Sequence, residues 1–455
     1  MNIYFMIDEL NRDAVVASAL KKKFAEKGHH LVYGNRASNR LLKYFHGAFD
    51  VIVFPRPHLI YDNWGDDWLT WKARFVTLST ESLGIICKDR QVMAKTLLDR
   101  EYFEGKRQYV ERIDAFCFWG SKQLQAVKDY APEVAHKCHV VGHPRHDGLC
   151  MKRPQEERVE LRGMKKSVGV ITRAVALNDY FKRSPLDWYT TLFDDHVNYE
   201  FLNKITGEKL LSKRAAVSPA NMLVVQAIDV ENTLKIINDL LQAGHQVSLR
   251  IHPKDDSDTW RDVLRRCKLN AEISDPALPI TDWLQGHDYI FGPPSTSFYD
   301  GVMLGVTPIS ICSLDARRQA SIGELWEENN QLMDHVFKPK SIEELLRYIN
   351  TDTRNFDSLE ILGILKEEAD FPACANVLDK VVGVCLAKPS DGGRSGLLLQ
   401  SFKVARSTYF AGWRLRNLFL GRKENSALFA MTAKKIRFID GLSSVTATTF
   451  RASTS

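Results

Sequence analysis

Short, continuously apolar runs that alternate with helical patterns, twice over, constrain this 455-residue chain more than any other feature. The first series reads NIYFMID, HHLVYGN, DVIVFPRP, FVTLSTES, DAFCFWG and CHVVGHP. Helical stretches such as DAVVASALKKKFAEKG lie between these runs. Runs without polar alternation belong to strands covered on both faces, so the pattern predicts a parallel α/β sheet. Residues 151–166, MKRPQEERVELRGMKK, are polar and charged and read as a linker. The series then restarts with SVGVITR, HQVSLRIHP, NAEISD, DYIFGPP and VTPISICS.

The expected organisation has four parts. They are an α/β domain over 1–150, the linker, a second α/β domain over 167–370, and a helical, basic segment over 371–455. Two consecutive domains of this kind predict facing Rossmann-like units with a cleft between them. Neither first strand-to-helix turn carries GxGxxG, which disfavours a nicotinamide or flavin dinucleotide.

One segment reads two ways. NMLVVQAIDVENTLKIINDLLQAG contains VVQAID, a possible strand. However, Leu223, Ala227, Val230, Leu234, Ile237 and Leu241 repeat at helical spacing, and Gly244 follows as a stop. The spacing predicts one long helix with those six residues inward. Gln226 and Asp229 then fall on its flank.

Composition narrows the class. Apolar residues make up 44% and charged residues 26%, the balance of a globular protein. The eight cysteines are scattered with no CxxC pair, which points to neither a zinc site nor a disulfide framework and implies a reducing cytosol. The opening MNIYFMIDELNRD has no basic leader and reads as a strand rather than a signal peptide. No run reaches 18 apolar residues, so no membrane span is expected.

Charge is placed unevenly. Residues 391–455 hold 11 Lys/Arg against three Asp/Glu, whereas the rest of the chain is close to neutral. Within that tail, Phe402, Tyr409, Phe410, Trp413 and Phe419 interleave with Lys403, Arg406, Arg414 and Arg416. Two readings stand side by side: a helix lying on an anionic membrane, or a helix packed back on the body. Nucleic acid is not expected as a partner.

Two segments of the second domain carry chemistry. In DYIFGPPSTSFYDGVMLGVTPIS a strand ends, Gly-Pro-Pro turns, and Ser295, Thr296 and Ser297 stand at a helix start. Hydroxyls and unbonded N–H groups there suit an anion, and Asp300 lies one turn further, where a ribose would be expected. Ordinary helix capping is the plainer use of the same residues. In RIHPKDD, Arg250, His252 and Lys254 share strand parity, which predicts that all three project to one side at the strand end. Together the two segments suggest a clamp for a phosphate, with Arg173 after SVGVIT as a further cation. Asp255, Asp256 and Asp258 could instead neutralise the basic residues.

These motifs resemble the surface-carbohydrate and capsule-biosynthesis glycosyltransferases of the GT-B fold. The resemblance rests on His252-Pro253, on Ser295 and Thr296 followed by Asp300 and Gly305, and on FCFWGSKQLQAV…VVGHPRHD (116–147). IDELNRD and SVGVITRAVALND add to it, and it spans roughly residues 1–330. It departs from the family pattern at His143, Pro294 and Ser82, where asparagine, serine and glycine are usual.

The resemblance implies that the second domain binds a nucleotide-activated sugar, with His252, Ser295 and Thr296 on donor phosphate and Asp300 on ribose. It also implies a glycan or lipid-linked acceptor. With the scattered cysteines and the basic tail, the expected place is the cytoplasm, with the inner face of the plasma membrane as the surface for the tail. Sugar transfer needs a base for the acceptor hydroxyl, and Glu81 after FVTLST is the first candidate, with Asp8 the second. No resident cofactor and no metal are expected. A glycerophosphotransferase of the teichoic-acid type, a nucleotide-sugar 2-epimerase and a non-catalytic scaffold remain alternatives within the same architecture.

Overall fold

A computed structural model describes residues 1–7, 10–34, 36–57, 59–60, 64–79, 88–147, 165–179, 184–186, 219–275, 278–322, 332–351, 376–387 and 398–407. The chain divides into two compact units, one made of Met1–Cys150 with Leu365–Ser455, the other of Met151–Ile364.

The first unit holds a six-stranded sheet in the order β2-β1-β3-β4-β5-β6. Its strands are β1 (Asn2–Met6), β2 (His30–Gly34), β3 (Val51–Phe54), β4 (Arg74–Leu78), β5 (Ala115–Phe118) and β6 (Cys138–Val140). The second unit holds five strands in the order β11-β10-β7-β8-β9. These are β7 (Ser167–Ile171), β8 (Gln246–Arg250), β9 (Glu272–Ile273), β10 (Tyr289–Gly292) and β11 (Thr307–Ser310). Every pairing is parallel. Each apolar run singled out in the sequence therefore forms a strand, and the two parallel α/β sheets are those expected. NAEISD contributes only two residues at the sheet edge.

The two sheets differ in winding. Numbered from its own first strand, the second runs 3-2-1-4-5, the Rossmann order, and the order reverses between β7 and β10. The first runs 2-1-3 onward, the other doubly wound order. Burial on both faces explains the unbroken apolar runs. On one face of the first sheet, Ile3, Phe5, Val51, Val53, Val76 and Ala115 form a single core with Val16, Leu20 and Phe24 of the helix Leu10–Glu26.

That core is completed from the far end of the sequence. The helix Val377–Leu386 inserts Leu378, Val381, Val382 and Cys385 into it. Lys23 pairs with Asp379 at 2.7 Å at its rim. Residues 398–407 also pack on this unit: Phe402 is fully buried, edge-on to Tyr4, Phe45 and Phe49. Arg406 donates to the Tyr33 carbonyl at 2.9 Å. The described part of the basic segment thus packs on the first unit. Tyr409, Phe410, Trp413, Arg414, Arg416 and Phe419 lie outside the described residues. Among the described residues no helix is long and apolar enough to cross a membrane.

The helix Pro219–Gln242 is a single element of 24 residues, as the spacing predicts. Its inward face follows that spacing from the middle onward, where Ile237 is buried and Val230, Leu234 and Leu241 pack on the core. It departs from the spacing in the first half, where Ala227 is exposed and Gln226 and Asp229 are buried beside Val225 and Ile228. Gln226 and Asp229 can be enclosed there because each finds a partner, described below, which removes the usual cost of enclosing it.

If Leu378 completes the first core, Leu378→Ala should lower stability by about 2–5 kcal/mol, read by urea unfolding. A tail that only touched the surface would leave the midpoint unchanged.

Candidate functional site

The carboxyl ends of β7, β8 and β10 lie side by side at the reversal of strand order, where ligands of open α/β sheets collect. Registers place Ile171 opposite Arg250, and Val170 opposite Phe291. The three strands therefore end at one level. β8 and β10 flank β7, so their exits are two strand spacings apart, about 9.6 Å. Gly292 makes that approach possible: a Cβ there would stand 2.5 Å from the Ile171 carbonyl oxygen.

The exits of β7 and β8 are tied together by one carboxylate. Asp255 is buried and accepts from the Thr172 hydroxyl at 3.1 Å and from Trp260 Nε1 at 3.3 Å. It also accepts from the Ala174 N–H at 3.1 Å. The backbones of Asp179 and Asp255 form an antiparallel bridge. Asn178 donates its side-chain N–H to the Asp256 carbonyl at 2.8 Å, and the Asp256 N–H returns to the Asn178 carbonyl at 3.0 Å. Burial pushes the Asp255 carboxyl up to about 6, opposed by these donors and by the charge of Arg173.

A second tie comes from the long helix. Gln226 accepts the Ala176 N–H at 2.6 Å. One turn on, Asp229 accepts from Arg318 Nε of the helix Ala316–Ile322 at 2.9 Å, with both side chains buried. Removing either partner would leave an uncompensated buried charge. Asp229 is thus held in a buried ion pair.

His252 begins a tight turn. Its carbonyl accepts the Asp255 N–H at 2.8 Å, and Pro253 occupies the second position, where proline favours turning. The His252 N–H donates to the Thr172 hydroxyl oxygen at 3.0 Å. Its Nδ1 accepts the Lys254 N–H at 3.1 Å. A neutral ring accepting at Nδ1 carries its proton on Nε2, which makes Nε2 a donor.

Arg250 departs from the expected clamp. Its guanidinium donates to the carbonyls of Asp275 at 2.8 Å and Leu278 at 2.6 Å, and to the Ser274 hydroxyl at 3.3 Å. It holds the loop after β9. The shared-parity argument fails because β8 stops at Arg250, and the two-residue pleat does not continue through the turn that follows. Lys254 is exposed in that turn, and Arg173 is half-buried on the β7 exit.

On the β10 exit, Ser295, Thr296 and Ser297 are half-buried where the helix Ser297–Met303 begins. Ser295 Oγ accepts the Ser297 N–H at 3.2 Å, an ordinary capping use of that hydroxyl. Thr296 makes no side-chain cap bond. Asp300 is fully buried, one turn into that helix.

Asp8 and Glu81, the candidate bases, lie outside the described residues. β1 and β4, which lead towards them, are separated in the sheet by β3. Among the described residues no three His, Cys, Asp or Glu side chains converge as a metal would require.

No family model matches the sequence, and no curated protein matches it. Solved structures with a similar chain path include the S. aureus MnaA–UDP co-structure, at 10% identity over 86% of this chain and 100% of that one, with a TM-score of 0.48. The wall teichoic acid polymerase TagF is similar at 12% identity over 89% of this chain and 90% of that one, with a TM-score of 0.46. The UDP-GlcNAc 2-epimerase from Neisseria meningitidis bound to UDP-GlcNAc is similar at 8% over 85% of this chain and 100% of that one, with a TM-score of 0.45. Identities this low and TM-scores below 0.5 leave the chemistry to be read from this chain's own residues.

The raised Asp255 carboxyl has a signed consequence. Between about pH 4 and pH 6 the folded chain holds a proton that the unfolded chain has released, so this group's contribution to stability falls as pH rises through that window. Asp255→Asn removes the dependence. The stability of wild type relative to Asp255→Asn should drop by about 2–3 kcal/mol from pH 4 to pH 7, read by denaturant unfolding across pH. A flat difference would show that the carboxyl titrates normally.

Proposed function

We propose that the chain is a glycosyltransferase that takes a sugar from a nucleotide-activated donor and passes it to a surface-polysaccharide or lipid-linked acceptor. The observation that carries this reading is the imidazole of His252. With Nδ1 accepting the Lys254 N–H, a neutral ring carries its proton on Nε2, and the residue stands at the carboxyl edge of β8, beside the reversal of strand order. A donor fixed before ligand arrives can meet the charge that develops on a departing phosphate without reorganising. Arg173 and Lys254 add positive charge on neighbouring exits. The hydroxyls of Ser295, Thr296 and Ser297 add donors two strands away. Arg250 and Asp300 are left out of the clamp, since each is engaged elsewhere or enclosed.

In a single displacement the acceptor oxygen forms a bond to the sugar's anomeric carbon as the bond from that carbon to the phosphate oxygen breaks. The electron pair leaves on the nucleotide phosphate. The acceptor's proton passes to a carboxylate, for which Glu81 is the first choice and Asp8 the second. The nucleotide sugar is a substrate, and the reading uses no resident cofactor or metal. A double displacement through Asp229 is disfavoured by its buried pairing with Arg318.

Thermal unfolding in CMP and UDP tests the binding half. At a hundred times its Kd a nucleotide stabilises by about 2.7 kcal/mol, and one of the two should raise the Tm accordingly. His252→Ala should weaken that nucleotide by about 10- to 100-fold, the loss of one hydrogen bond to a charged group. Glu81→Gln should abolish nucleotide release from the sugar donor and spare binding. Interconversion of a soluble nucleotide sugar without transfer would replace the reading by an epimerase. Consumption of CDP-glycerol would replace it by a glycerophosphotransferase, and binding without any turnover by a scaffold.

A further inference from the structure

The exit loop of β7 is anchored twice in quick succession. Thr172 and Ala174 both donate to the Asp255 carboxylate, at 3.1 Å each. Arg173 stands between them, with a side-chain hydroxyl on one side and a backbone N–H on the other tied to one carboxylate. Two residues on, the Ala176 N–H is taken by Gln226 at 2.6 Å. The carboxylate is itself fixed by Trp260 Nε1 on the helix Ser257–Arg266, and Gln226 is fixed by its place in the 24-residue helix. Ala174 and Ala176 are buried, whereas Arg173 is half-buried. The anchors hold the small residues down and leave the arginine as the larger side chain at the top of the strand.

We infer that Asp255 and Gln226 are positioning residues that hold the β7 exit loop in the one conformation in which Arg173 meets the donor's phosphate. This rests on the nucleotide reading above and adds to it a requirement on two residues that need not touch the ligand. Such an arrangement moves the cost of ordering the loop from binding to folding, which tightens binding without a new ligand contact. Among the described residues, the Ala176 N–H is the partner shown for the enclosed Gln226 amide. A leucine or methionine in its place would fill the volume and leave the Ala176 N–H without its acceptor.

The test is a double-mutant cycle read as Kd for CMP and UDP by calorimetry on the full chain. Gln226→Met keeps helix propensity and removes the acceptor. It should weaken the nucleotide that binds wild type by about tenfold in the Arg173 background. In the Arg173→Gln background the same substitution should change Kd by less than about twofold, because a positioning residue has no effect once the group it positions is gone. Asp255→Ala should behave alike. Because it also risks the fold, amide hydrogen exchange gives a ligand-free reading. Exchange at Ala176 should speed in Gln226→Met, and exchange at Ala174 in Asp255→Ala, with the strand amides of β7 unchanged. Unaltered affinity in Gln226→Met overturns the inference while the nucleotide reading stands. An equal loss in both arginine backgrounds does the same, since it shows a role that does not run through Arg173. A wild type that binds neither nucleotide overturns the reading, and the inference falls with it.

Discussion

A parallel sheet covered on both faces has only its two ends to offer a ligand, and this governs the second unit. The side chains of Val168, Val170, Leu249, Phe291 and Ile309 are committed to the interior. Chemistry is confined to the residues just past the last strand hydrogen bonds. There the chain must change direction, and every N–H and C=O that leaves the ladder needs another partner. The Thr172 hydroxyl, the Asp255 carboxylate and the Gln226 amide meet that need for the β7 and β8 exits. Bonding that satisfies the backbone also fixes the shape of the edge.

The enclosed polar groups of this unit share a pattern. Asp229 with Arg318 joins two helices, Gln226 joins a helix to a loop, and Asp255 joins two loops and a helix. None of these is a large net source of stability, since desolvation offsets much of each attraction. Each does make alternative packings expensive, because shifting one element strands a charge or an amide in the interior.

Strand positions and order of appearance are legible because full burial writes itself into composition: no polar residue interrupts VIVF or AFCF. The 219–242 helix is legible as an element and misleading in the phase of its first half. Apolar spacing alone places Ala227 inside, whereas the true inner stripe passes through Gln226 and Asp229. Polar residues recurring at 226, 229 and 233 are themselves a helical signal, but only for a reader prepared to enclose them. Asp255 reads from sequence as a surface partner for basic neighbours. Its burial depends on Trp260 and on a loop more than 80 positions away in sequence, which no local pattern carries. Arg250 misleads for a related reason: its two closest acceptors, the carbonyls of Asp275 and Leu278, have no side-chain signature at all.

The helix Val377–Leu386 closes the first unit's core after the whole of the second unit has intervened. On a ribosome, roughly 230 residues separate the end of Met1–Cys150 from that helix, about 10–45 s at ordinary elongation rates. Throughout that interval the first sheet is translated but the core on one of its faces lacks Leu378, Val381, Val382 and Cys385, a part of its cover. The second unit, whose strands all lie within one continuous segment, can finish first. The order of completion inside the nascent chain therefore runs opposite to the order of synthesis, and the early half is the one that waits.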